Sequence, residues 1–131
     1  VFAETDAAEV VVAQDAHLNE VYLGAYRRAP GGGLEEIFPE RLQAQTLIEE
    51  LTPERAQART AAGFGWDRYP GLATANSTVI GQRSCIQHPR ARHLLALGEV
   101  ALQRGAAISP QDLVPAYLRS KVAQKPATEG T

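Results

Sequence analysis

The sequence holds one cysteine, no methionine and few aromatic residues, 6% of the chain. Each scarcity excludes something. With Cys85 alone no disulfide can form within the chain, which fits a reducing, cytoplasmic compartment. No run approaches the roughly 18 to 20 continuous apolar residues of a membrane-spanning helix, and no basic start leads into an apolar run as in a signal peptide. A membrane is therefore not an expected partner. The formal net charge is only -2, so the chain as a whole exerts no electrostatic pull on nucleic acid or anionic lipid. Beginning Val1-Phe2-Ala3-Glu4, without methionine anywhere, the chain reads as an internal fragment or as one whose first half was removed.

What is present suits a globular α/β domain. Of 131 residues, 44% are apolar and 21% charged, enough to build a core of real size. The expected division is one domain over residues 1–123 and a polar tail over 124–131.

Glu9 to Gln14 is a Val-rich run of the kind a buried strand uses. Asp15 to Asn19 breaks it as a turn. From Glu20 to Arg28, Val21, Leu23 and Ala25 alternate with Tyr22, Gly24 and Tyr26, which predicts a second strand hairpinned to the first. Leu34 to Phe38 predicts a third strand, limited by Pro39. Leu42, Thr46, Leu47 and Leu51 fall at helical spacing and predict a helix over 42–51, closed by Pro53. Thr60 to Trp66 reads as a short strand leading into a loop, and Thr78 to Ile80 as another strand. Pro89 to Arg104 predicts the longest helix, with Ala91, Leu94, Leu95, Ala101 and Leu102 along one side and Gly105 as its cap. Ser109-Pro110 signals one more helix start before a short, proline-interrupted stretch over 113–118. Three strands, a helix, then short strands and helices in alternation give a mixed sheet with helices.

Catalytic chemistry finds little footing. His88 and His93 are five positions apart, which on a helix separates them by about 140°, so they share no face for a metal, and His17 stands alone in a turn. Cys85 has Arg83 and His88 near it in sequence, which lowers a thiol pKa when they touch, but a lone cysteine at a strand end more often packs. Ser77, Ser84, Ser109 and Ser120 lack the Gly-x-Ser-x-Gly setting of a nucleophile elbow. Gly31-Gly32-Gly33 is followed by no Lys-Ser/Thr and opens no helix, so it is not a phosphate loop. Arg27-Arg28 and Arg90, Arg92 and Arg104 lack interleaved aromatics and read as solvated faces rather than a nucleic-acid surface. No metal, cofactor or catalytic residue is expected.

Three stretches carry a resemblance. Val11 to Tyr22 is similar to an apolar strand followed by an Asp-Ala-Arg-x-x-Glu-Val-Tyr pattern. Gly63-Phe64-Gly65-Trp66 matches a Gly-x-Gly-Trp-like stretch. Pro89-Arg90-Ala91 opens the long helix, and Pro115 to Ala123 resembles a closing Pro-x-Tyr-Leu-Arg-x-x-Val-Ala signature, the most specific of the three. Together they resemble the second half of the TsaB (YeaZ) family over nearly the whole chain, with His17 where that family has Arg.

The resemblance implies a ribonuclease-H-like half of an actin-like ATPase fold. In such folds the first strand–turn–strand carries Asp and Gly for phosphates and metal. Asp15 would then mark a degenerate phosphate turn, since Asp15 to Asn19 has no glycine; the alternative is that Asp15 caps its own turn. The resemblance further implies a non-catalytic scaffold in the complex that places threonylcarbamoyl on adenosine 37 of tRNA. TsaD, the catalytic paralogue, and TsaE would be partners of the intact protein. tRNA would be met only through the complex, and a homodimer is allowed. Tyr117, Leu118 and Arg119 are expected to act structurally, with Arg119 pairing a carboxylate or capping carbonyls. Two rivals stand beside this reading: a glycoprotease-like peptidase of the M22 family, and a regulatory nucleotide-binding module.

Overall fold

The computed structural model describes residues 1–120. The expected polar tail lies outside them. Five strands form one sheet in the order β3-β2-β1-β4-β5. They are β1 Glu9–Asp15, β2 Glu20–Arg28, β3 Leu34–Ala44, β4 Arg59–Ala62 and β5 Gln82–Arg83, with helices α1 Gly65–Arg68, α2 Pro70–Ala75 and α3 Leu94–Gln103. The first three strands run antiparallel, Val11 facing Ala25 and Ala25 facing Phe38, whereas β4 and β5 join parallel.

The central place of β1 follows from its valines. Val10 and Val11 point to opposite faces and both are buried, which an edge strand would not permit. On one face Val11, Ala13, Val21, Leu23, Ala25 and Ala61 pack beneath Ile48, Leu51, Trp66, Tyr69, Leu72 and Val79. The other face carries Val12, Gln14 and Ala62, flanked by the root of α3.

Two buried polar devices close the core. Glu9 and Arg59 face each other across β1 and β4, both almost fully buried, with Arg59 Nε 2.9 Å from Glu9 Oε2. Arg59 also donates to the Thr52 carbonyl at 2.6 Å, and Arg55 pairs the other Glu9 oxygen. Asn76 is wholly buried. Its amide donates to the Thr46 and Leu72 carbonyls, and its Oδ1 accepts the Ile48 N–H at 2.8 Å. The penalty of burying these groups is thus offset bond by bond.

Several expectations are corrected. No helix spans 42–51: Leu42 to Ala44 extend β3, and the next residues form a loop whose Ile48 and Leu51 side chains are buried. Two causes act together. The start of β2 needs a pairing partner, which Leu42 and Gln43 supply opposite Tyr22 and Val21, and Asn76 satisfies the loop's backbone in place of helical bonds. Pro39 does not end β3, because β3 is an edge strand and a missing N–H on its outer side costs nothing. Thr78 to Ile80 is no strand; the Val79 and Ile80 amides both bond the Asn76 carbonyl, and β5 follows at Gln82–Arg83. Gly65-Trp66 opens α1 rather than continuing a loop. The long helix begins at Leu94, after a 3-10 turn at Ala91–His93, and ends before Gly105 at φ 71°. Its apolar side is exposed. Beyond Ser109 there is only a 3-10 turn, Pro110–Asp112.

Candidate functional site

At the turn between β1 and β2 the Val11–Tyr22 stretch meets Arg119 of the closing stretch, whose residues 121–123 lie outside the described residues, and Tyr69, which follows the Gly63–Trp66 stretch. His17, Leu18 and Asn19 have φ of 60, 52 and 62°, three consecutive left-handed residues without a glycine. Such a run is costly for side-chain-bearing residues and persists only where the surroundings enforce it.

Asp15 supplies the first restraint. Its Oδ1 accepts the His17 N–H at 2.8 Å and the Tyr69 hydroxyl at 2.6 Å. The Tyr69 hydroxyl, then the His17 amide, holds the Asp15 carboxyl below its ordinary range, and the same bond pushes the Tyr69 phenol up. Within the turn the Ala16 N–H donates to the Glu20 carbonyl and the Glu20 N–H to the His17 carbonyl, each at 3.0 Å. A phosphate loop instead aims successive amides outward. Here the Ala16, His17 and Glu20 amides are spent inside the turn.

The glycine pair positions Tyr69. Gly63 has φ 101°, and a Cβ there would overlap the Ala13 carbonyl; one at Gly65 would come within 2.8 Å of Val21 Cγ1. Without side chains, both glycines let the start of α1 lie on β1, where Trp66 donates to the Val11 carbonyl at 3.2 Å. Three residues on, Tyr69 sits below Asp15. Tyr69 was not anticipated from sequence. Its three-residue spacing from Trp66 is the signal that places both on one side of a helical turn.

The closing segment supplies the third restraint. Arg119 donates to the Ala16 carbonyl at 2.9 Å, and its other nitrogen lies 2.7 Å from Glu20 Oε2. Leu118 is half-buried, while Tyr117 is exposed at φ 43°. Segment 115–119 thereby walls a groove of about 760 Å³ beside the turn, with Leu18, Tyr22 and Glu40 opposite.

The other reactive side chains lie elsewhere. His93 contacts Glu4 at 2.7 Å, His88 lies against the Phe64 ring, and Cys85 is exposed. Among the described residues no three His, Cys, Asp or Glu side chains converge as metal ligands, and no helix is long and apolar enough to cross a membrane. A smaller cavity, about 220 Å³, opens between Val12, Ala62 and the root of α3.

No protein-family model matches the sequence, and no curated protein matches it by sequence. Solved structures do match. One is a Pseudomonas aeruginosa protein described by its similarity to the peptidase YeaZ, 26% identical with a TM-score of 0.71, over 90% of this chain and 52% of that one. Another is YeaZ from Pseudomonas aeruginosa, 25% identical with a TM-score of 0.67, over 89% and 52%. The chain spans about half the length of these structures.

Proposed function

We propose, from the premise that this chain is YeaZ-like, that it is the C-terminal half of a non-catalytic scaffold of the TsaB kind. In that role it supports TsaD, with TsaE, in placing threonylcarbamoyl on adenosine 37 of tRNA. The observation that carries the reading is the convergence at the β1–β2 turn. The Val11–Tyr22 stretch and the closing stretch, both resembling the family, meet there through Asp15, Glu20 and Arg119, and Tyr69, three residues beyond the Gly63–Trp66 stretch, bonds Asp15. The strand order, three antiparallel and two parallel around β1, supports a ribonuclease-H-like half. The turn itself fits a support role. The Asp15 carboxylate and the Ala16, His17 and Glu20 amides are engaged within the protein.

The test is reconstitution. Threonylcarbamoyl transfer to tRNA is measured with TsaD and TsaE, with and without the protein, and with the protein alone. Transfer should depend on TsaD and rise when the protein is added. Transfer by the protein without TsaD, or no response to it, overturns the reading. A peptidase reading has in its favour that one similar structure is described by its likeness to the peptidase YeaZ; cleavage of casein or a glycoprotein by the purified protein would establish it.

A further inference from the structure

The sheet face opposite the core is unevenly covered. Its β1 and β4 side lies under the root of α3. Its β2 and β3 side bears Tyr22, Tyr26, Glu36 and Glu40. Tyr22, between Gln14 and Leu42 near the turn end of the sheet, is 41% exposed. The Tyr26 ring lies over Gly24, whose built Cβ would stand 3.1 Å from Tyr26 Cε2, so the missing side chain leaves a bed for the ring. Glu36 and Glu40 are exposed, and among the described residues no basic side chain pairs either. Burial, then Glu40 and Glu36, pushes the Tyr26 phenol up, as expected where the local potential is negative.

This face runs into the groove beside the turn. There Leu18 and Tyr117 are held outward, 72% and 74% exposed, in left-handed backbone that most residues avoid. The groove's own cation, Arg119, is already paired with Glu20. Two tyrosine rings, apolar side chains and an unpaired carboxylate remain. That combination is complementary to a guanidinium or ammonium group on an aliphatic stem: the stem packs on Leu18, the cation meets the tyrosine faces, and Glu40 neutralises it.

We propose that this acidic, tyrosine-bearing face is a docking surface for a protein partner presenting a segment of alternating basic and apolar residues. Both residue types are called for because β2 presents Tyr22 and Tyr26 while the neighbouring β3 presents Glu36 and Glu40. Nucleic acid is disfavoured, since Glu36 and Glu40 repel phosphate. The assignment does not depend on the scaffold reading.

The probe is a short labelled peptide alternating arginine and leucine, compared with one alternating glutamate and leucine, in anisotropy titrations and amide-shift mapping on the protein. The arginine peptide should bind, with shifts confined to β2, β3 and residues 115–119. Glu40→Lys should weaken it about tenfold, and Tyr22→Ala comparably. Glu99→Lys on α3, which makes the same charge change elsewhere, should leave affinity unaltered, and thermal melts should show all three variants folded. Equal binding of the glutamate peptide, shifts mapping to α3, or unchanged affinity in Glu40→Lys overturns the proposal. So does a single-stranded RNA binding this face, or sedimentation showing a dimer that Glu40→Lys dissolves, which would make the occupant a second copy.

Discussion

Residues 9–80 and residues 94–118 are both well supplied with leucine, valine and alanine, yet they use them in opposite ways. Among the described residues every buried apolar side chain lies at or before Val79. In α3 none is buried, and Leu94, Leu95, Leu97, Val100 and Leu102 are all exposed, as are Ile108, Leu113 and Val114 beyond it. The first region is held by packing and sealed by the Glu9–Arg59 pair and Asn76. The second is pinned by polar contacts: Glu4 to Arg92 at 2.8 Å at the root of α3, and Arg119 to the β1–β2 turn at its far end. Helical periodicity therefore reports that a segment can form a helix. It does not report that a face is covered: α3 has a polar side at Glu99 and Gln103, yet its apolar residues stay exposed.

The largest expected effect tests that contrast directly. Leu23→Ala removes a fully buried side chain from the middle of β2 and should cost about 3 kcal/mol in urea unfolding. Leu95→Ala, at an exposed position, should cost less than about 0.5 kcal/mol. Comparable losses would mean that α3 is packed after all, and the comparison would fail.

An intermediate effect is expected where the two regions touch. Arg119→Ala removes charge-assisted bonds to Glu20 and the Ala16 carbonyl from a partly buried site and should cost about 1 to 2 kcal/mol. The melting temperature should fall, and Arg119→Lys should recover little, since one ammonium cannot reproduce the fork. An unchanged melt would show that the turn holds its left-handed residues without the closing segment.

How much of this was legible in the sequence depends on how local each cause is. β1 and β2 were readable because a valine run and a partial alternation signal burial locally. β3 was read short because Pro39 signals a break unless one knows that the strand lies at the edge. Leu42 to Leu51 was misread because its spacing fits a helix while a partner strand and a distant asparagine decide the backbone. At the turn, Asp15 and Arg119 stood out as charged residues within recognisable stretches. The hydroxyl that joins Asp15 to the core belongs to Tyr69, brought there by two glycines through an absent Cβ, and such a contact leaves no charge pattern to find.

The smallest effect separates the two regions by pH. Arg92, then His93, holds the Glu4 carboxyl down from 4.5 to about 2. Between those values the folded state binds fewer protons at Glu4 than the unfolded chain does, so the contact favours the folded state fully above about 4.5 and is lost as pH falls through about 2. Because among the described residues the Glu4 carboxylate pairs with Arg90, Arg92 and His93 at the root of α3, protonation should release that root and leave β1 to β4 alone. Amide exchange in α3, corrected for intrinsic rate, should accelerate as pH drops through this window while the Val11 and Leu23 amides keep their protection. In Glu4→Gln the α3 amides should exchange at the faster rate at every pH, with no step. A step that survives in that variant would assign the pinning to another carboxylate, and a loss of protection shared by β1 would show that the polar tie and the packed core unfold as one unit.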